Sequence, residues 1–213
     1  MNIESHTEKV IHQAMASKLH SWTNENTVSQ TKNVFGIDKQ TPVTSKNYPW
    51  RAIGKLSTGC TGTLVGPNLV LTAAHCIIDP KTQALVNYAF FFYANMIDGN
   101  TNHQAWVSHA WWGSNYPGKF RERDWALLRL YKQLGDTQGW LGVRKESVDT
   151  MKSTRGTLVG YSADFQQGKT AGVRVNCSLT KEAETDFYLH NCHMTRGASG
   201  GPIFAYRNNS PYI

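Results

Sequence analysis

From Val34 onward the chain alternates short apolar runs with breaks rich in Gly, Pro, Asn and Ser. Runs of four to eight apolar-rich residues bounded by turn formers predict strands. They fall at residues 50–56, 61–65, 69–72, 84–93, 126–130, 156–161, 172–177, 187–190 and 202–206. No long amphipathic run separates them, so the pattern predicts an all-β barrel or sandwich. Residues 1–33 have another texture: they are polar, lack Gly and Pro, and carry Val10, Ile11, Met15, Leu19 and Trp22 near helical spacing. That spacing predicts a partly apolar helix over 4–20. A softer polar stretch near 132–153 divides the strands into two groups. The expected organisation is an N-terminal arm or pro-segment over 1–33, a first β-barrel over 34–135, a linker over 136–153 and a second β-barrel over 154–213. The aromatic-rich stretches at 89–93 and 106–112 read as core and loop packing, with a carbohydrate- or partner-binding face as the alternative.

Composition narrows the partners. The 213 residues are 40% apolar, enough for a substantial core, and the longest apolar cluster, Ala89 to Ala94, suits a strand and is too short to cross a bilayer. The net charge of +7 is scattered rather than massed, which reads as a solvated surface and argues against a nucleic-acid partner. Four cysteines permit three pairings; none forms a Cys-x-x-Cys and no His sits at zinc spacing, so no metal is expected. Two local disulfides, Cys60–Cys76 and Cys177–Cys192, are the economical reading, against four reduced buried thiols. Each would close a loop of about fifteen residues, worth ~3 kcal/mol if the gain is loop entropy. Disulfides imply an oxidising compartment, hence a secreted or periplasmic protein, although residues 1–20 show no signal peptide.

Three segments carry chemistry. In the first, Cys60 to Cys76, two strand-like runs joined by Gly66-Pro67-Asn68 lead through Thr72-Ala-Ala to His75. The turn composition suits a hairpin, and a histidine pinned beside a cysteine bridge has the fixed orientation that a general base needs. In the second, Asp124 precedes the apolar run Trp125 to Leu130 and could fix the tautomer of an adjacent imidazole; Glu122 is the competing carboxylate, farther from the strand. In the third, Gly197-Ala-Ser199-Gly-Gly201 allows a tight turn that would aim the Gly197 and Ser199 N–H groups at one spot, an oxyanion hole, with Ser199 as nucleophile. The Gly-x-Ser-x-Gly pattern also fits the nucleophile elbow of α/β-hydrolases, which need an acid and a His after the serine. Residues 200–213 contain no Asp, Glu or His, so that reading fails on chain order.

The blocks Leu71-Thr-Ala-Ala-His75-Cys76, Asp124-Trp-Ala-Leu-Leu-Arg-Leu130 and Gly197-Ala-Ser199-Gly-Gly-Pro202 resemble the signature blocks of trypsin/chymotrypsin-like serine endopeptidases. Val34 to Lys39 and Tyr48 to Ile53 resemble the mature start of the glutamyl-endopeptidase (V8-like) branch, and the Cys177 to Cys192 block resembles the disulfide loop before the serine. The resemblance covers residues 34–206. It implies two perpendicular six-stranded antiparallel β-barrels with a His75, Asp124, Ser199 triad between them, acting on a protein or peptide substrate. No cofactor, nucleic acid or membrane insertion is implied, and no oligomeric state is assigned. By family position His193 would lie at the base of the primary specificity pocket, with Met194 beside it and Arg196 near its rim, which leans towards acidic or polar residues before the scissile bond. Ala198 stands where trypsin-type enzymes carry an Asp that pairs with a new N-terminus, so activation is expected to differ, with residues 1–33 removed near Asn33–Val34 as a zymogen's pro-segment. The resemblance also implies two more strands after residue 213, so the second barrel is expected to be truncated. The expected activity is that of a secreted serine endopeptidase; the alternative is an inactive protease-fold binding protein or fragment.

Overall fold

Strand pairing follows the apolar runs closely. The computed structural model describes residues 9–10, 40–79, 81–86, 89–113, 123–182 and 187–213. Along the chain, two short strands β1 (Lys9–Val10) and β2 (Thr41–Pro42) precede β3 (Ile53–Leu56), β4 (Thr61–Leu64), β5 (Leu69–Thr72), β6 (Phe91–Ala94), β7 (Gln104–Trp112) and β8 (Ala126–Leu130). The order β7-β6-β3-β4-β5-β8 closes on itself because β8 also pairs with β7, so six antiparallel strands form a barrel. Its interior holds Ile53, Leu56, Leu64, Val70, Phe92, Leu128 and Leu130, all at most 2% exposed. Each such side chain contributes about 1.5–3 kcal/mol by leaving water. Gly54 and Gly62 face each other across β3 and β4; a methyl on the first would strike the Phe92 ring, and on the second Val70. Two side chains are therefore absent where the Phe92 ring lies.

The second sheet is open. It comprises β9 (Arg155–Gly160), β10 (Gly172–Lys181), β11 (Tyr188–His190), β12 (Ile203–Arg207) and β13 (Ser210–Tyr212) in the order β11-β10-β9-β12-β13, with β2 also paired to β10. Leu158, Val159, Tyr161, Leu179 and Phe204 are buried within it. Between the sheets run α1 (Gly135–Gln138) and α2 (Val148–Ser153), the latter capped by Ser147, whose hydroxyl accepts the Thr150 N–H at 3.2 Å. The all-β expectation holds, as a closed barrel and a half-barrel.

Several expectations are corrected. The helix over 4–20 is overturned at Lys9–Val10, which pair as strand with Ala110 and His109 of β7. A strand edge supplies backbone partners that a single marginal helix lacks. Other residues of 1–33, and the junction Asn33–Val34, lie outside the described residues. The run at 84–93 is strand only from Phe91: Leu85 bridges to Ile78, and the fully buried Phe90 enters the core first. The stretch at 106–112 belongs to the nine-residue β7 rather than to a loop. Residue 206 does not close the last strand: Asn208 and Asn209, at φ 48° and 63°, turn the chain into β13. Two consecutive left-handed residues in a two-residue loop make the hairpin turn that matches strand twist.

Candidate active site

The register of β5 and β8 sets the first half of the site. Thr72 stands opposite Ala126 in this antiparallel pair, so two residues beyond each, position 74 meets position 124. At that point β5 ends and a 3₁₀ turn, Ala74–Cys76, presents His75. The Asp124 carboxylate grips it twice: Oδ2 lies 2.8 Å from His75 Nδ1, and Oδ1 accepts the His75 main-chain N–H at 2.9 Å. Both side chains are partly open to solvent, at 37% and 25% exposed. The hydrogen bond to Asp124 raises the His75 pKa above its ordinary value; burial opposes this, and the carboxylate charge adds to it. The Cys60–Cys76 disulfide, with Cα atoms 5.9 Å apart, ties the turn to the start of β4.

The Ser199 loop forms the second half. Gly197 and Gly200 have φ of 98° and 78°, a region that penalises any residue with a Cβ. Space forbids one as well: a Cβ on Gly197 would strike the Tyr161 carbonyl, and on Gly200 the Thr72 hydroxyl and the Thr61 carbonyl. The Arg196 carbonyl accepts the Ala163 N–H at 2.7 Å. In a trans peptide the N–H points opposite to the C=O, so the Gly197 N–H points away from Ala163. Among the described residues neither the Gly197 nor the Ser199 N–H has an acceptor, whereas Ala198 gives its N–H to Thr195 and Gly201 to Ala198. The Ser199 carbonyl accepts the Thr61 N–H at 2.9 Å and lies 3.7 Å from Cys76 Sγ. The residue next to His75 thus touches the residue expected as nucleophile.

The other expected positions lie around this loop. The Cys177–Cys192 disulfide forms, so all four cysteines are paired as the economical reading had it. His193 and Met194 are half-buried, and His193 Nε2 has no solvent contact and, among the described residues, no hydrogen-bond partner. Met194 lies close to Gly160, and Arg196 is exposed. Thr195 is held by its N–H to the Ser162 hydroxyl at 3.3 Å and by its hydroxyl to Asp164. Ligand atoms of Cys60, His75 and Cys76 come within 4.8 Å of one another, but the two sulfurs are bonded together and offer no thiolate. Glu122 lies outside the described residues. Sequence reading missed Thr61, Thr72 and Ala163, whose polar groups hold the serine loop. A β-branched hydroxyl residue in a strand run carries no sign of such a role, and its place directly after Cys60 was the available hint.

Comparison with known proteins gives this arrangement a lineage. A family model described as a trypsin-like peptidase domain matches residues 60–210. The chain is 51% identical over 198 residues to serine protease 23 of Bos taurus, covering 81% of this chain and 52% of that one. It is 27% identical over 198 residues to the glutamyl endopeptidase of Bacillus licheniformis, covering 81% and 55% respectively. The chain therefore spans about half the length of these curated relatives. Among solved structures, a Glu endopeptidase in complex with MPD superposes with a TM-score of 0.72 at 25% identity, covering 80% of this chain and 81% of that one. With that neighbour, the closed barrel and half-barrel are those of the chymotrypsin-like fold.

Proposed function

The chain belongs to the trypsin-like peptidase domain family, and from that premise we propose that it is a serine endopeptidase that cleaves peptide bonds through an acyl-enzyme on Ser199. In this reading Ser199 Oγ attacks the substrate carbonyl while His75 Nε2 takes its proton. Asp124 holds the opposite nitrogen as an N–H donor, orients the ring and offsets the imidazolium charge. The carbonyl oxygen, now an anion, is held by the Gly197 and Ser199 N–H groups. Collapse breaks the C–N bond, His75 returns the proton to the leaving amine, and water then hydrolyses the ester with the same base. The observation that carries the reading is the double grip of Asp124 on His75, at 2.8 and 2.9 Å, beside a serine loop with two N–H donors that have no acceptor among the described residues.

Secretion is part of the proposal: two disulfides are formed, and no helix among the described residues is long and apolar enough to cross a membrane. So is a preference for acidic or polar residues before the scissile bond. The buried, unpartnered Nε2 of His193 and the exposed Arg196 guanidinium support it, as does the glutamyl endopeptidase relative. A peptide-library digest tests both activity and preference. Cleavage after Glu or other polar residues, abolished by Ser199→Ala, is expected; cleavage after Lys or Arg would overturn the preference, and undiminished cleavage by the variant would overturn Ser199.

A further inference from the structure

Thr61 sits at the start of β4, in the first barrel, and is completely buried. All of its polar groups are engaged, each with a different partner. Its main-chain N–H donates to the Ser199 carbonyl at 2.9 Å. Its hydroxyl donates to the Gly197 carbonyl at 2.8 Å and accepts the Tyr161 N–H at 2.9 Å. Its carbonyl accepts the Thr72 hydroxyl at 2.8 Å. Thr72 lies on the strand that leads to His75, Tyr161 follows β9, and Gly197 and Ser199 belong to the serine loop. One residue therefore bonds the strand that carries the base and the loop that carries the nucleophile.

We propose that Thr61 is a positioning residue: through its hydroxyl it fixes the Gly197 peptide and, with it, the N–H donors and Ser199 relative to His75. The inference rests on the endopeptidase reading of that site. The main-chain bond to Ser199 would survive any substitution except proline, so the hydroxyl is the separable part. Removing it strands the carbonyl of half-buried Gly197 and the N–H of buried Tyr161, and a shielded polar group without a partner turns towards one. The peptide beyond Gly197 can tilt to do so, because Gly197 has no side chain to resist rotation. Ala163 still holds the Arg196 carbonyl, but the plane beyond Gly197 is left with one bond among the described residues, from the Ala198 N–H to the Thr195 carbonyl at 3.1 Å.

Thr61→Val keeps the shape and deletes the hydroxyl, whereas Thr61→Ser keeps the hydroxyl and deletes a methyl. Misplacement of a reacting group by about 1 Å costs ~10²-fold in rate, so Thr61→Val is expected to lower kcat by that order. KM is expected to stay within about twofold and Thr61→Ser within about threefold of the parent, the pattern of a lost transition-state contact. Should Thr61→Val not fold, Thr61→Ala removes the same hydroxyl without pressing a methyl on the stranded groups, and the same loss is expected. Amide hydrogen exchange at Tyr161 and Ala198 is a readout independent of turnover, expected to be faster in Thr61→Val and unchanged in Thr61→Ser. An unchanged kcat, or a raised KM with kcat intact, would overturn the inference. If the parent protein hydrolyses nothing, the endopeptidase reading falls, and exchange at Tyr161 and Ala198 decides by itself whether Thr61 holds the loop.

Discussion

At the scale of single residues, the proposed mechanism makes the His75–Asp124 pair the control of pH dependence. The folded protein favours the imidazolium, because the Asp124 carboxylate accepts its Nδ1 proton and carries the opposite charge. A general base must be neutral, so kcat/KM is expected to rise with pH through a value above the ordinary imidazole pKa of about 6.5. Asp124→Asn should move that limb back towards the ordinary value and cut kcat by roughly 10⁴-fold, since the ring loses its tautomer and its counter-charge. Linkage runs in the matching direction. A raised folded pKa adds stability that is fully present below about pH 6.5 and disappears as pH rises through the raised value. The melting difference between parent and Asp124→Asn should therefore be larger near pH 5.5 than near pH 8.5. A pH–rate profile with its acid limb at or below the ordinary value would refute the pairing as an influence on the base.

These residues were legible because chemistry constrains their neighbours. His75 follows the buried small residues Ala73 and Ala74 and precedes a disulfide-bonded cysteine, and Ser199 lies among glycines whose positions no Cβ can occupy. Thr61 was not legible, since its role depends on three groups from 11, 100 and 136 residues away. Specificity was only partly legible. His193, Met194 and Arg196 were named from position alone, and folding places them around the serine loop half-buried, half-buried and exposed.

At the scale of elements, register turns strands into a site. The β5–β8 pairing puts position 74 beside 124, and a one-residue slip would move Asp124 off His75 while turning Leu128 and Leu130 out of the barrel. Burial of the core and geometry of the site are thus fixed by the same register. The strands with apolar residues facing inward were readable from sequence. β7 was not, because it inverts the usual code: Ala105, Val107 and Ala110 face in, while Trp106 is 45% exposed. On the outer face Phe91 lies against Trp106, and the Arg129 guanidinium sits 5.1 Å over Trp111. A bulge between Val107 and His109 interrupts the alternation further. The β12–β13 hairpin closes on a polar turn. Both Asn208 and Asn209 are left-handed there, so Asn209→Val should cost ~1–2 kcal/mol of stability, measured by denaturant unfolding. A neutral substitution would mean that the turn is not what directs Pro211 and Tyr212 back onto β12.

At the scale of the whole molecule, the site is a seam between two sheets. Thr61 crosses it to Gly197, Ser199 and Tyr161, and Lys55 crosses it to give its ammonium to the Gly168 carbonyl at 2.7 Å. Burial lowers the Lys55 pKa, which marks that crossing as partly shielded from water. The same seam receives the Cys60–Cys76 bridge, whose Cys76 sulfur meets the Ser199 carbonyl. The proposed base and nucleophile thus come from opposite sides of an interface and can act together only if both sheets are formed and docked. In the proposed mechanism this docking makes Ser199 a nucleophile driven by His75. The most direct measurement treats the natural protein containing this sequence, its disulfides intact, with a fluorophosphonate and maps the adduct by mass spectrometry. A single phosphonyl adduct on Ser199, lost in Ser199→Ala and in His75→Ala, is the predicted result. No adduct on Ser199, or labelling that persists in His75→Ala at the parent rate, would contradict it.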